Sequence, residues 1–315
     1  MKKKTISYAK WGYIFLIPFF VVYFIFSFLP LIQTFGYSFL DYVVGQGTVK
    51  SIRDPGAGDS TIINNGFCGF ANYSAVLKSD GLFSLSFKNT VILWLVGFVP
   101  QIIVSLLLAS WFTDIRLKLK AQGFFKTVIY LPNVIMASAL SLLFYSLFTQ
   151  DGALDTLFGN PVLLTKIWGA RGVVGFINFL MWYGNTTILL MAAMMGIDTS
   201  LYEAAQIDGA NPSQVFWQIT MPLIKPILAY VLVTSMIGGL QMYDVPYLIG
   251  GTSGNPSGVL QTLVSQIQLG KNSSVGRVSA LSVMVFIVSA ILGFITLKVM
   301  DDQSIRTRYG KKKKK

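Results

Sequence analysis

Six stretches of this sequence stay apolar for about twenty residues each, at 11–32, 89–112, 127–148, 172–195, 226–249 and 278–299. A bilayer core roughly 30 Å thick takes about 20 helical residues to cross, so each stretch is long enough to span it. Of the 315 residues, 53% are hydrophobic and 12% charged, and the mean hydropathy is +0.62, which is too apolar for a soluble fold of this size. The expectation is an all-α polytopic membrane protein with six transmembrane helices. The first run follows Lys2, Lys3, Lys4 and Lys10, but it is too long for the apolar region of a signal peptide and no small-residue cleavage site follows Pro30. It therefore reads as a retained helix behind a basic arm at 1–10.

Charge then orients the spans. Seventeen of the 25 Lys and Arg residues fall in the arm, in the segment between the second and third spans, in the segment 196–225 and from Lys298 onward; eight fall in the alternate loops. That bias puts both termini and the 196–225 segment on the cytoplasmic side. The net charge of +12 is then explained by lipid headgroups and topology, with no nucleic-acid partner needed. The tail at 300–315 ends in Lys311 to Lys315, which is expected to be unstructured and held to anionic lipid. Residues 41–87 read as an outer loop with one short helix near Asn72 to Lys78.

Several chemistries are excluded or left without support. One cysteine, Cys68, allows no internal disulfide, and the absence of histidine removes His-based triads and His metal sites. No Gly-x-x-x-x-Gly-Lys-Ser/Thr run is present, so nucleotide hydrolysis would have to come from another subunit. Of the thirteen acidic residues only Asp244 falls within a predicted span, which counts against an ion-coupled carrier, because such a carrier binds its ion at membrane depth.

The polar stretch from Ser200 to Pro222 interrupts the apolar pattern and holds Glu203, the only glutamate. Ser200 and Glu203 have the spacing of a capping box, which predicts a helix from Leu201 that stops at Gly209 in a left-handed conformation. Asn211, Pro212 and Gln214 have the residue types and spacing to start a second helix, and Pro222 is expected to end it. The prediction is a helix-turn-helix projecting from the membrane.

This stretch resembles the EAA loop of permease subunits of ABC importers: Glu203-Ala204-Ala205, then Gly209, then Ile219, Met221 and Pro222, with Tyr202 and Asp208-Gly209-Ala210 as in sugar importers. The resemblance implies a cytoplasmic loop that couples to an ATPase through Glu203, Ala204, Ala205, Asp208, Gly209, Pro212, Ser213, Gln214 and Pro222, its second helix docking in a cleft of that subunit. The other reading is that Glu203 and Gly209 only cap and end their own helix. Phe70 to Leu77, Phe125 to Asn133 with its Leu131-Pro132-Asn133, and Asp151-Gly152 also resemble the first of the two permeases of carbohydrate importers, of the short six-span type. Gly250-Gly251-Thr252-Ser253 departs from the Gly-Gly-Pro usual there.

As implied by the resemblance, the partners are a second homologous permease, two ATP-binding subunits that hold ATP and Mg, an extracytoplasmic solute-binding protein and the lipid of a bacterial inner membrane. The chain itself would carry no cofactor, no metal and no catalytic residue. Polar and aromatic groups within spans, namely Asn133, Tyr145, Asn178, Trp182, Tyr183, Asn185, Thr186, Thr187, Gln241, Tyr243 and Asp244, must face other helices or a water-filled cavity. Either helix packing or a sugar-lining role fits them. Aligned from the EAA loop, the resemblance implies Tyr183, Gly184 and Thr187 on the fourth span and Gly239 and Gln241 on the fifth as the substrate pathway. The alternatives are a permease for glycerol-phosphate-type or other small polar solutes and an ion-coupled carrier.

Overall fold

The structure is a computed structural model that describes residues 9–44, 62–78, 82–114, 120–149, 152–158, 163–250, 258–270 and 274–312. Lys2 to Lys4, Arg116, Lys118, Asp151, Gly251 to Ser253 and Lys313 to Lys315 lie outside the described residues. In chain order the elements are α1 (Ala9–Tyr23), a π-helical turn (Phe24–Phe28), α2 (Leu29–Ser38), β1 (Leu40–Val44), β2 (Ile62–Phe67), α3 (Ala71–Lys78) and α4 (Leu82–Thr113). There follow α5 (Gln122–Val134), α6 (Ala137–Phe148), α7 (Ala153–Phe158), a short 3-10 turn (Leu163–Thr165), α8 (Ile167–Met195) and α9 (Thr199–Ile207). The chain ends with α10 (Pro212–Gln214), a second π-helical turn (Val215–Thr220), α11 (Met221–Leu240), α12 (Asp244–Ile249), α13 (Leu263–Gly270) and α14 (Val275–Lys312). α14 carries the tail, expected to be unstructured, as helix through Lys312.

Among the described residues, Gly12–Ser38, Phe83–Thr113, Ile167–Met195, Pro212–Leu240 and Val275–Ile295 are long and apolar enough to cross a membrane; α5 with α6, bent by 87°, supplies a sixth crossing if the pair is one span. The helical form follows from the solvent, since each backbone amide in hydrocarbon must find its partner within its own segment. The start of the fifth span differs from expectation at a proline. Pro222 does not end its helix as expected; like Pro30 within the first span, it lies just after a π-helical turn. The residue before each proline donates five residues back, Leu29 to the Phe24 oxygen and Met221 to the Phe216 oxygen. A proline ring clashes with the carbonyl four residues back, and the wider turn accommodates it, so the helix continues.

Two other spans are broken where continuity was expected. Between α5 and α6, Ile135 and Met136 are extended (ψ 135° and 141°). There the Asn133 amide leaves its own helix to donate 2.7 Å to the Met181 oxygen on α8. The fifth span ends at Leu240, not Ile249, after the helix-weakening pair Gly238-Gly239. It restarts at Asp244, with Pro246 in the first turn of α12, where an amide donor is not needed.

The chain divides into two compact units, residues 1–81 with 267–286 and residues 82–266 with 287–315. In the first, the loop expected to be irregular contains an antiparallel β1–β2 ladder pairing Leu40 with Phe67 and Val44 with Ile62. Its β-branched Val43, Val44, Ile62 and Ile63 favour strand. Asn72 on α3 ties that unit together, donating to the backbone oxygens of Ser38 (3.0 Å) and Leu40 (2.9 Å).

In the second unit α4 and α8 lie side by side on small residues. A Cβ on Gly97 would sit 3.2 Å from the Asn178 Cβ, and one on Gly175 would meet Val96 at 2.5 Å. One apolar cluster around Leu93, Val174, Ile177 and Ile249 and another around Ala109, Leu190, Met194 and Ile224 complete its core.

Candidate functional site

Two places in the second unit concentrate polar side chains. The first is the stretch after α8. Its helix α9 is capped by Asp198, whose carboxylate accepts the Ser200 amide at 3.0 Å. Ser200 was expected to be the cap and Glu203 to bond back to it; instead Ser200 is inside the first turn. The Glu203 carboxylate is exposed and has no partner among the described residues. At the other end of α9 the Gly209 amide donates to the Gln206 oxygen (3.1 Å) and the Ala210 amide to the Ala205 oxygen (2.9 Å). This is a Schellman motif, and it puts Gly209 at φ +75°, the left-handed stop that its position predicts.

The second half of the stretch starts with reciprocal bonds of 2.8 Å each, the Gln214 amide to Asn211 Oδ1 and the Asn211 amide to Gln214 Oε1, with Pro212 at the first helical position. The two halves are tied by the Tyr202 hydroxyl, 3.2 Å from Thr220 Oγ1, over the buried Ala205, Val215 and Thr220. Ile207 (87% exposed) and Trp217 (62% exposed) leave apolar surface uncovered on the same stretch as the exposed Glu203.

The second place is a cavity of about 600 Å³ between α4, α8, α11 and the α11–α12 break. Trp94, Trp182, Tyr230 and Tyr243 supply its aromatic faces, and Gln101, Asn178, Asn185, Thr186, Thr234, Ser235 and Gln241 its amides and hydroxyls. Several of these are fixed by their neighbours. The Trp94 indole donates to Ser235 Oγ (3.0 Å), Asn178 Nδ2 to the Val174 oxygen (2.9 Å), and Gln101 Nε2 to Thr186 Oγ1 (2.7 Å). Gln241 is exposed where α11 stops, its backbone N–H shared between the Ile237 and Gly238 oxygens at 3.2 Å each. Rings beside amides and hydroxyls can pack on the apolar face of a polyol ring while bonding its hydroxyls.

Residues 101–306 match the family of binding-protein-dependent transport system inner membrane components. The chain belongs to this family. It is a multi-pass membrane permease. It is 31% identical to the lactose transport system permease protein LacF of Rhizobium radiobacter over 229 residues, which is 70% of this chain and 76% of that protein. It is 28% identical to the multiple sugar-binding transport system permease protein MsmF of Streptococcus mutans, covering 92% of this chain and 94% of the relative. A bacterial ABC transporter that imports the acidic polysaccharide alginate contains a chain of the same fold, with a TM-score of 0.71 at 20% identity over 92% of the permease and 94% of that chain.

The structure brings the residues of the expected coupling loop together. Glu203, Ala204, Asp208, Pro212, Ser213 and Gln214 are exposed around the Gly209 turn, and Ala205 is buried beneath them. Pro222 belongs to the first turn of α11 rather than to an end of the loop. The expected pathway residues divide. Gly239 and Gln241 line the cavity, whereas Tyr183, Gly184 and Thr187 do not. Tyr183 stacks on Phe179 and its backbone oxygen accepts from Ser105 Oγ (2.9 Å). A Cβ on Gly184 would collide with the Ile129 backbone oxygen, so that glycine lets α5 approach α8. Thr187 is fully buried, its hydroxyl on the Tyr183 oxygen at 2.7 Å.

The face of α8 that does line the cavity is Asn178, Met181, Trp182, Asn185, Thr186 and Leu189. Its three- and four-residue spacing from Asn178 was available in the sequence. Trp94 and Gln101 were missed, because within an apolar run a single Trp or Gln reads equally well as packing.

Proposed function

We propose that this permease forms half of the translocation pathway of an ATP-driven importer for a sugar or oligosaccharide. The observation that carries this reading is the cavity, where Trp94, Trp182 and Tyr230 stand beside Gln101, Asn185 and Gln241 in about 600 Å³. That volume and chemistry fit a short saccharide. The carbohydrates named for the lactose and multiple-sugar relatives, and for the alginate importer, agree with it. The proposed assembly adds a second, homologous permease, two ATP-binding subunits that hold ATP and Mg, and an extracytoplasmic solute-binding protein. Both termini and the Glu203 stretch face the cytoplasm in this reading, as the seventeen-to-eight distribution of basic residues favours.

In the proposed cycle the exposed loop around Glu203 and Ser213 docks on an ATPase subunit. Its displacement, as the ATPases close on ATP, turns the cavity from one side of the membrane to the other. The test is uptake into proteoliposomes holding the assembled importer with internal ATP and no ion gradient. Gln241→Leu, which removes a side-chain bond to the solute, is expected to lower uptake roughly tenfold to a hundredfold, since an unpaired buried partner costs about 1–3 kcal/mol. ATPase activity stimulated by the loaded binding protein should survive in part. Normal uptake by Gln241→Leu would move the saccharide contacts elsewhere; uptake that requires an ion gradient would overturn the ATP-driven reading.

A further inference from the structure

The sign of charge in the cavity is unexpected for this chain. The protein carries a net charge of +12, yet among the described residues no lysine or arginine lines the cavity, and Asp244 is the one carboxylate among them that does. Asp244 is exposed at the point where α11 has ended and α12 begins, beside the Gln241 side of the lining.

Resting on the carbohydrate reading above, we infer that Asp244 determines which saccharides this half of the pathway accepts, admitting neutral and amino-bearing ones and rejecting uronates and phosphate esters. A volume of about 600 Å³ corresponds to a sphere roughly 10 Å across, close to the Debye length of about 8 Å at physiological salt. An anion inside therefore lies within about one Debye length of the carboxylate, close enough for part of their repulsion to survive screening. The amides and hydroxyls of the lining satisfy neutral hydroxyls, but among the described lining residues there is no cation to compensate an incoming carboxylate or phosphate. An ammonium group in the same position would form a charge-assisted bond to Asp244. With that screening, repulsion across such a distance corresponds to a discrimination of about a few-fold.

Trp182 lines the same cavity and is 49% exposed, so it reports on what enters. The assembled importer in nanodiscs is titrated with iodide, caesium and acrylamide, and the Trp182 contribution is defined by its loss in Trp182→Phe. Relative to their quenching of free tryptophan amide, caesium is expected to be favoured over iodide for this component, and Asp244→Asn to shift the iodide-to-caesium ratio by about twofold or more. Unchanged acrylamide quenching shows that the fold is kept. Glucose and glucosamine should protect Trp182 from acrylamide; glucuronate should protect it only in Asp244→Asn.

An iodide-to-caesium ratio unaffected by Asp244→Asn, or glucuronate protection equal to that of glucose in the unaltered protein, would overturn the inference and leave the carbohydrate reading standing. No protection by glucose, even with the expected ion ratio, would count against the cavity as a saccharide site and remove the inference with it.

Discussion

Gln101 on α4 donates 2.7 Å to the hydroxyl of Thr186 on α8, and both side chains are at least nine-tenths buried where the cavity meets the helix interface. The pair joins the two helices through polar groups that neither lipid nor the apolar core could satisfy. Thr186→Val should leave the Gln101 amide unpaired and cost about 0.5–2 kcal/mol, read as a lower unfolding midpoint of the purified protein in detergent. The double variant Gln101→Leu/Thr186→Val should recover part of that loss, giving a non-additivity of about 0.5 kcal/mol or more. Strict additivity would mean that the bond contributes nothing.

Trp182 and Tyr183 are sequence neighbours on different faces of α8, one lining the cavity and the other stacked on Phe179. Trp182→Ala removes a cavity wall and is expected to reduce saccharide uptake roughly tenfold or more, whereas Tyr183→Ala should cost stability before it costs affinity. The comparison is the Michaelis constant of each variant at matched membrane abundance. A raised constant for Tyr183→Ala alone would reverse the assignment of faces.

Gly238 and Gly239 form a similar pair on α11. A Cβ on Gly239 would lie 2.5 Å from Trp94 Cδ1, while one on Gly238 meets nothing within 4 Å. Gly239→Ala should therefore displace Trp94 and lower both stability, by about 1–3 kcal/mol, and uptake. Gly238→Ala should leave both near the unaltered values, and equal effects in a thermal-shift and uptake comparison would contradict the packing described for α4 and α11.

Around the α9 turn, Gly209→Ala places a side chain at φ +75° without any steric neighbour, so its cost of about 1 kcal/mol comes from the backbone alone. Gly209→Asn should recover much of it, because asparagine tolerates that region. Glu203→Ala removes an exposed, unpartnered carboxylate and should leave membrane abundance unchanged while abolishing ATP-driven uptake. Loss of the protein itself on Glu203→Ala, in a membrane immunoblot, would assign the residue a folding role.

The Asp198 cap is expected to depend on pH. Its hydrogen bonds from the Ser200 backbone and side chain hold its pKa below the ordinary carboxylate value. With the folded value lower than the unfolded one, its stabilisation of α9 is fully present above the ordinary carboxylate range and is lost as the pH falls through the lowered value. Hydrogen exchange over residues 199–207, corrected for intrinsic rates, should show α9 loosening under acid conditions. Asp198→Asn, which caps without a charge, should remove that pH dependence.

Much of this architecture could be read from the chain because its strongest signals are local and repeated. Apolar runs of membrane length, the spacing of Asn211, Pro212 and Gln214, and a glycine at position 209 each specify their structure within a few residues. What was not legible turned on helix starts, turn widths and rotation about an axis, which residue type alone leaves open. Ser200 and Asp198 are both good caps, and only the observed helix start decides between them. Pro222 reads as a stop unless a π-helical turn widens the helix just before it. The cavity face of α8 was displaced by one residue from the expected one, since Tyr183 and Trp182 differ by about 100° around a helix axis and hydropathy does not tell them apart.

The unbroken helical run from Pro212 to Leu240 turns the loop and the fifth span into a single push-rod. At about 1.5 Å per residue its 29 residues reach roughly 40 Å, from the exposed Ser213 to the Gly239 and Gln241 edge of the cavity. The run stays helical through the wide turn at Val215–Thr220 and past Pro222 and Pro226, so motion of the Ser213 end is carried along one continuous helix. That turn has its own tether, the hydroxyl pair of Tyr202 and Thr220, so α9 holds the helix near its Ser213 end. A tilt or twist of α9 would thus arrive at the cavity wall as motion of Gln241, and the stiffness of one helix would set how faithfully it arrives.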